Sequence, residues 1–173
     1  SKANKTVNVY AKKDAELNAT AENIKVGQTA VITITINSEI TGNLTVNNEE
    51  VEINNGTVVY EIYGLGEGNY TIDIKFAGNK YYKPANTTAT FTVSKLPAPQ
   101  IIIDTLDSEV EGSDLTVKVT IENATGNITI NNETITLNNS QATTTIQNLQ
   151  TGTLTINVEY LGNNIYLSSK ANK

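Results

Sequence analysis

Cysteine, histidine, methionine, tryptophan and arginine are all absent from this chain of 173 residues. Without cysteine there is neither a disulfide nor a thiolate metal site to staple a small fold, so any domain here is held by burial of its core. Missing histidine and cysteine also remove the usual base and the usual soft nucleophile, so a Ser-His or Cys-His arrangement is excluded. Twelve lysines stand against eighteen acidic residues. Such a surface repels phosphate backbones, so nucleic acid is not an expected partner. No apolar run reaches the ~18 residues a membrane span needs, and Ser1 to Lys13 has no signal-peptide shape. If the parent protein is secreted, its signal and anchor are expected outside this segment.

What is abundant is Thr, Asn and Ile, at 26, 24 and 19 residues. Thr and Ile favour strands and Asn favours turns, so the composition reads as all-β. The chain is long enough for one large β-sandwich or two small ones, since a seven-strand sandwich needs about 100 residues.

Self-comparison chooses between them, because a fixed period marks a repeated structural unit. Shifted by 84 residues, Gly42 to Ala89 lies over Gly126 to Lys173 without a gap, with 16 of 48 positions identical. Upstream the offset becomes 85, pairing Ala30, Ile32, Ile34 and Ile36 with Leu115, Val117, Val119 and Ile121. Every second residue is apolar in both copies, the mark of a half-buried strand. The indel then falls at Asn37-Ser38-Glu39, where a turn is expected. Two of the three prolines sit in Lys95-Leu96-Pro97-Ala98-Pro99, read as a stiff joint.

Ser1-Lys2-Ala3-Asn4-Lys5 recurs as Ser169-Lys170-Ala171-Asn172-Lys173, at twice the repeat length. In that register Thr6, Val7, Asn8 and Val9 align with Thr90, Phe91, Thr92 and Val93. The expected organisation is therefore residues 1–13 as the last strand of a preceding repeat, repeat 1 over 14–95, a linker over 96–100, and repeat 2 over 101–173 without its last strand. Thr6, Val7, Asn8 and Val9 are the expected strand donors, and neighbouring repeats or identical chains the expected partners, by strand addition.

Candidate chemistry is thin. Ser169 and Lys170 are adjacent and so face opposite sides of a strand. Glu50, Glu52, Glu61, Asp73 and Glu159 alternate with core residues and read as solvated acids. Metal binding reduces to oxygen ligands, leaving calcium as the candidate cofactor, with Asp104, Asp107, Glu109, Glu111 and Asp114 as the densest acidic run. That run reads first as a solvated strand edge, and no cofactor is expected. A Lys-Asn isopeptide bond would need a buried lysine, and Lys118 alternates with core residues. Ten Asn-X-Ser/Thr sequons occur, at Asn4, Asn18, Asn43, Asn55, Asn69, Asn86, Asn123, Asn127, Asn132 and Asn138, where composition alone gives roughly five. They are the candidate glycosylation sites.

The stretch Gly68-Asn69-Tyr70-Thr71-Ile72-Asp73-Ile74-Lys75-Phe76-Ala77-Gly78-Asn79-Lys80-Tyr81-Tyr82-Lys83-Pro84 resembles the bacterial Ig-like group 3 repeat, which ends a strand, turns through Gly-Asp/Asn and docks a tyrosine. The second copy keeps Gly152, Thr155, Ile156, Gly162, Asn163 and Tyr166 but has Leu154 for Tyr70 and Ser168 for Pro84. The resemblance implies two tandem immunoglobulin-like β-sandwich domains, elongated, of the kind stacked in adhesin-like surface proteins of bacteria and archaea. It further implies a non-enzymatic, extracellular stalk that holds a functional tip away from the cell. The alternative is an adhesive module binding a carbohydrate or host protein through exposed Tyr63, Tyr81 or an acidic edge. Shared sites should share residues, and these become Gln147 and Ile165 in the second copy.

Overall fold

The computed structural model describes residues 2–173; Ser1, the first residue of the recurring pentapeptide, lies outside the described residues. The chain divides into two compact units, the first ending at Ser94 and the second spanning Lys95–Lys173. Each has its own hydrophobic core.

In unit 1, β1 (Asn18–Ala21), β3 (Ala30–Thr35) and β6 (Thr57–Ile62) form a three-stranded sheet in the order β1-β3-β6. The facing sheet has the order β2-β8-β7-β4-β5, built from β2 (Ile24–Lys25), β4 (Asn43–Val46), β5 (Glu49–Glu52), β7 (Gly68–Phe76) and β8 (Ala85–Ser94). The chain enters through β1, antiparallel to β3, then crosses to the other sheet, where β2 runs parallel to β8. This split first strand, with its two halves in different sheets, gives an immunoglobulin-like sandwich. Alternation places the core: Ala30, Ile32 and Ile34 of β3 are buried while Val31, Thr33 and Thr35 face outward.

Unit 2 repeats the plan with β9 (Ile101–Asp104), β10 (Leu115–Ile121) and β13 (Gln141–Ile146) in one sheet, ordered β13-β10-β9. The other is β12-β11-β14-β15, from β11 (Asn127–Ile130), β12 (Glu133–Thr136), β14 (Asn157–Tyr160) and β15 (Ser169–Asn172). Every buried residue of the second core has a buried counterpart in the first, in the register read from the sequence. Ala15, Tyr82, Ala89, Phe91 and Val93 of unit 1 are buried with no equally buried counterpart. The one-residue indel falls in the expected turn: the Ile40 N–H closes back on Asn37 O, one residue past Ile36, whereas the Ala124 N–H closes back on Ile121 O, the counterpart of Ile36 itself.

The asparagines find their use at tight turns. Asn47 and Asn48 link β4 to β5 with φ of 46° and 69°, and Asn131 and Asn132 link β11 to β12 with 45° and 71°. Two successive positive φ angles are the backbone of the hairpin turn that matches strand twist, and Asn tolerates them. Each first Asn also clasps the next strand. The Asn47 Oδ1 accepts the Asp73 N–H at 3.0 Å, and Asn131 does the same for Asn157 at 2.8 Å.

Three boundaries differ from the sequence reading. Segment 96–100 is not a free linker: the Leu96 N–H donates to Ile165 O at 2.8 Å, Leu96 O accepts from the Leu167 N–H at 2.9 Å, and Ala98 packs on the second core. Lys13 is bonded into unit 1 in the same way, to Tyr81 O and the Lys83 N–H, so it is part of unit 1 rather than of a preceding repeat. The last strand of repeat 2, read as missing, is present: β15 covers the four residues equivalent to the first four of β8. Residues 2–12 belong to no strand.

Candidate functional site

The motif that carried the family resemblance is a structural corner. Gly78 and Gly162 have φ of 83° and 75°, and a Cβ on either would stand 2.8 Å from backbone atoms, Pro84 N and Tyr166 O respectively. Only glycine fits there. Asn79 then caps the loop, its Oδ1 accepting the N–H groups of Tyr81 and Tyr82 at 2.8 Å each. Asn163 repeats this for Ile165 and Tyr166 at 2.8 Å. An amide oxygen accepting two backbone donors does the turn's work without charge, which accounts for Asn at both positions.

The ring of Tyr82, docked by this turn, leads to the richest polar cluster in unit 1. Its hydroxyl hydrogen-bonds to Asn37 Oδ1 at 3.2 Å and to the Glu39 carboxylate. Lys13 Nζ lies 3.1 Å from Glu39 and 5.7 Å from the Tyr82 ring centroid. The Tyr82 hydroxyl first, and the Lys13 ammonium second, hold the Glu39 carboxyl below its ordinary range. Glu39 in turn raises both Lys13 and Tyr82. The lysine and carboxylate are largely exposed, so this ties the chain entry to the corner at modest energy. Unit 2 has no counterpart to it: Asn123 stands where Glu39 does. Tyr160, fully buried, donates to Thr125 O at 3.1 Å, and desolvation pushes its phenol up.

Tyr70 donates to Gly66 O at 3.0 Å and stacks on Phe91, with centroids 5.4 Å apart. The tyrosine therefore does anchor the turn before β7 in unit 1, although Leu154 replaces it in unit 2.

Of the residues singled out from sequence, all ten sequon asparagines are exposed. Asn55, Asn123 and Asn132 also adopt positive φ, so turn geometry accounts for their amide type independently of any glycan. Tyr63 and Tyr81 are exposed, Tyr63 bonded to Glu61 and Tyr81 lying 5.3 Å from Lys80 Nζ. In the acidic run, Asp107 pairs with Lys173 at 2.9 Å and Asp114 accepts the Asn148 N–H at 2.9 Å. Among the described residues no group of three or more His, Cys, Asp or Glu side chains is placed to hold a metal ion. Lys118 is half-buried on β10, opposite Asp104 and Thr143. Thr6, Val7, Asn8 and Val9 lie exposed and outside any strand.

The sequence reading missed a groove in unit 2 of about 660 Å³, lined by residues 105–111 and 149–154. Its lining includes the exposed apolar residues Leu106, Val110 and Leu154.

No protein-family model matches the chain, and no curated protein sequence matches it. Among solved structures, a three-domain immunoglobulin segment of titin is similar at 12% identity over 91% of this chain, with a TM-score of 0.39. This chain spans 62% of that one. A tandem pair of titin immunoglobulin domains is similar at 12% identity, covering 92% of this chain and 94% of that one, with a TM-score of 0.36. SGBP-B of the Bacteroides ovatus mixed-linkage glucan utilization locus, solved with a mixed-linkage heptasaccharide, is similar at 12% identity over 94% of this chain and 68% of that one, with a TM-score of 0.31. The assignment of tandem immunoglobulin-like sandwiches rests on the strand order described above.

Proposed function

We propose that this chain is a spacer segment of an extracellular, adhesin-like surface protein, of the kind built from group 3 Ig-like repeats, and that it performs no catalysis. One observation carries the reading: what recurs between the two units is scaffold. The shared core positions, the Asn47-Asn48 and Asn131-Asn132 hairpins and the Gly-Asn corners all serve folding. The exposed aromatics Tyr63 and Tyr81 do not recur, as expected of modules selected for stacking rather than for a common ligand. Ten exposed sequons on two small units fit a surface that carries glycans where the host has the transferase.

Pulling the chain from its two ends in a single-molecule experiment tests the mechanical part. Two separate ruptures are expected, each releasing roughly 3.4 Å of chain per unfolded residue. Saturable binding of the unglycosylated pair to a glycan array, lost on Tyr81→Ala, would replace the spacer reading with the adhesive one.

A further inference from the structure

The Gly-Asn corners have a second side. Asn79 occupies the first, its N–H donating to Tyr82 O at 3.0 Å while its Oδ1 takes the Tyr82 N–H. In an extended segment neighbouring residues turn their backbone groups to opposite sides, so Tyr81 O and the Lys83 N–H point the other way. Lys13 fills that side: its N–H donates to Tyr81 O at 2.8 Å and its O accepts the Lys83 N–H at 2.9 Å. Unit 2 repeats the arrangement. The Asn163 N–H donates to Tyr166 O at 3.1 Å, the Leu96 N–H donates to Ile165 O at 2.8 Å, and Leu96 O accepts the Leu167 N–H at 2.9 Å. The side chains do not match, since Leu96, Ile165 and Leu167 stand where unit 1 has Lys13, Tyr81 and Lys83. What recurs is the pair of backbone bonds.

The direction of those bonds decides what they can bear. Both bridges are parallel, Lys13 with Tyr82 and Leu96 with Tyr166. In unit 1 the bridged segment continues as β8 to Ser94, where the chain leaves the unit. The entering segment meets β8 again at its far end: Ile24 and Lys25 pair in parallel with Val93 and Ser94, and the Val26 N–H donates to Ser94 O at 3.0 Å. Tension that draws the entry backward and the exit forward therefore slides two parallel segments past one another. Bonds lying across the direction of sliding share the load and break together, whereas bonds opened from one end break singly. A backbone bond adds little net stability at equilibrium, because water replaces it on unfolding. Forced unfolding follows the rate of rupture instead, so a pair loaded together resists force out of proportion to its share of stability.

We propose that the Gly-Asn corner of each unit is a force-bearing latch: it presents one carbonyl and one N–H to the entering chain, and the bonds made there by Lys13 and by Leu96 carry tension directed along the chain. The corner is braced for this. Gly78 and Gly162 leave no room for a Cβ against the neighbouring backbone, and Asn79 and Asn163 cap the loop from within. In unit 1 the Tyr82 hydroxyl further ties the corner to Asn37 and Glu39. The motif shared by the two units thus gains a role beyond turning the chain. The proposal deepens the spacer reading and rests on it for the source of the load, while the resistance of the latch is measured without it.

Because the chain has no cysteine, single-molecule force can be applied between chosen residues of the full chain. Lys5→Cys with Lys95→Cys loads unit 1 through its entry and exit; Lys5→Cys with Lys80→Cys pulls the same latch open from one end. The first geometry is expected to need several-fold more force than the second, with the latch itself unaltered. Equal forces overturn the proposal. Lys13→Pro removes the N–H that bonds Tyr81. It is expected to bring the entry-to-exit force down toward the one-ended value while moving the midpoint of chemical unfolding little. Lys13→Ala keeps that N–H, loses the ion pair with Glu39, and should leave the force where it was. An entry-to-exit force unchanged by Lys13→Pro assigns the load to β2 and β8 and overturns the latch. A force that falls as far with Lys13→Ala assigns it to the side chains and overturns it too. Saturable glycan binding by a chain whose latch resists force would remove the spacer reading and leave the latch standing, so the two failures are distinct.

Discussion

Unit 1 and unit 2 share a fold and a hydrophobic pattern but not a complete core. The first buries Tyr82, Ala89, Phe91 and Val93 under a long last strand; the second has a half-buried Tyr166 and an open groove in their place. Fully burying a side chain such as Phe or Val is worth about 1.5–3 kcal/mol. The difference therefore amounts to a substantial part of the stability of a small domain. In the 173-residue chain unit 2 is therefore expected to unfold first.

The largest test of that comparison is Phe91→Ala. It should cost unit 1 about 3–5 kcal/mol, lowering its thermal transition to or below that of unit 2 in calorimetry. An unmoved upper transition would mean that the last strand does not set the difference. Next come Gly78→Ala and Gly162→Ala, each expected to cost its own unit roughly 1–3 kcal/mol through strain at positive φ, and more if the backbone contact cannot relax. Chemical denaturation followed unit by unit should show each change confined to one transition; equal effects on both would contradict the separation of cores. Tyr70→Phe keeps the stack on Phe91 and removes only the bond to Gly66, so a loss of about 1 kcal/mol is expected, in unit 1 alone.

The smallest effect is a pH dependence. Because the Glu39 pKa is depressed in the folded state, its contribution is present above the ordinary carboxylate range and fades as pH falls through the folded value. Unit 1 should therefore lose a component of stability in acid that Glu39→Gln lacks. Unit 2, with Asn123 at that position, should show none of it. Acid titrations of the two transitions, followed by tyrosine fluorescence and circular dichroism, check this.

Much of this was readable beforehand. The alternation of Ile32, Ile34 and Ile36 with polar neighbours named the core face, since strand geometry makes every second residue point one way. The recurring pentapeptide carried the register of the last strand, though that strand read as absent and β15 is present. Three other features were not readable. The bonds of Lys13 and Leu96 join backbone atoms some 70 residues away in the chain, and such bonds carry no side-chain signature. The Tyr70 anchor has no repeated signature, since the second copy has leucine there, and it rests on Gly66 O standing close enough to accept the hydroxyl. The groove is a property of two segments that approach one another only after folding.

What the sequence alone determined is everything with a local or periodic cause: all-β class, two copies, the core-facing positions, and the turns where Asn or Gly relieves a positive φ. Tertiary structure decided what depends on distant segments meeting. That includes where each unit begins, which tyrosines are anchored, and that the polar cluster at Glu39 exists in one copy only. It also brought residues 105–111 and 149–154 together into a groove. Periodicity records which way a side chain points, whereas the identity of its neighbour across a sheet is set by chain closure, and a linear pattern does not encode that.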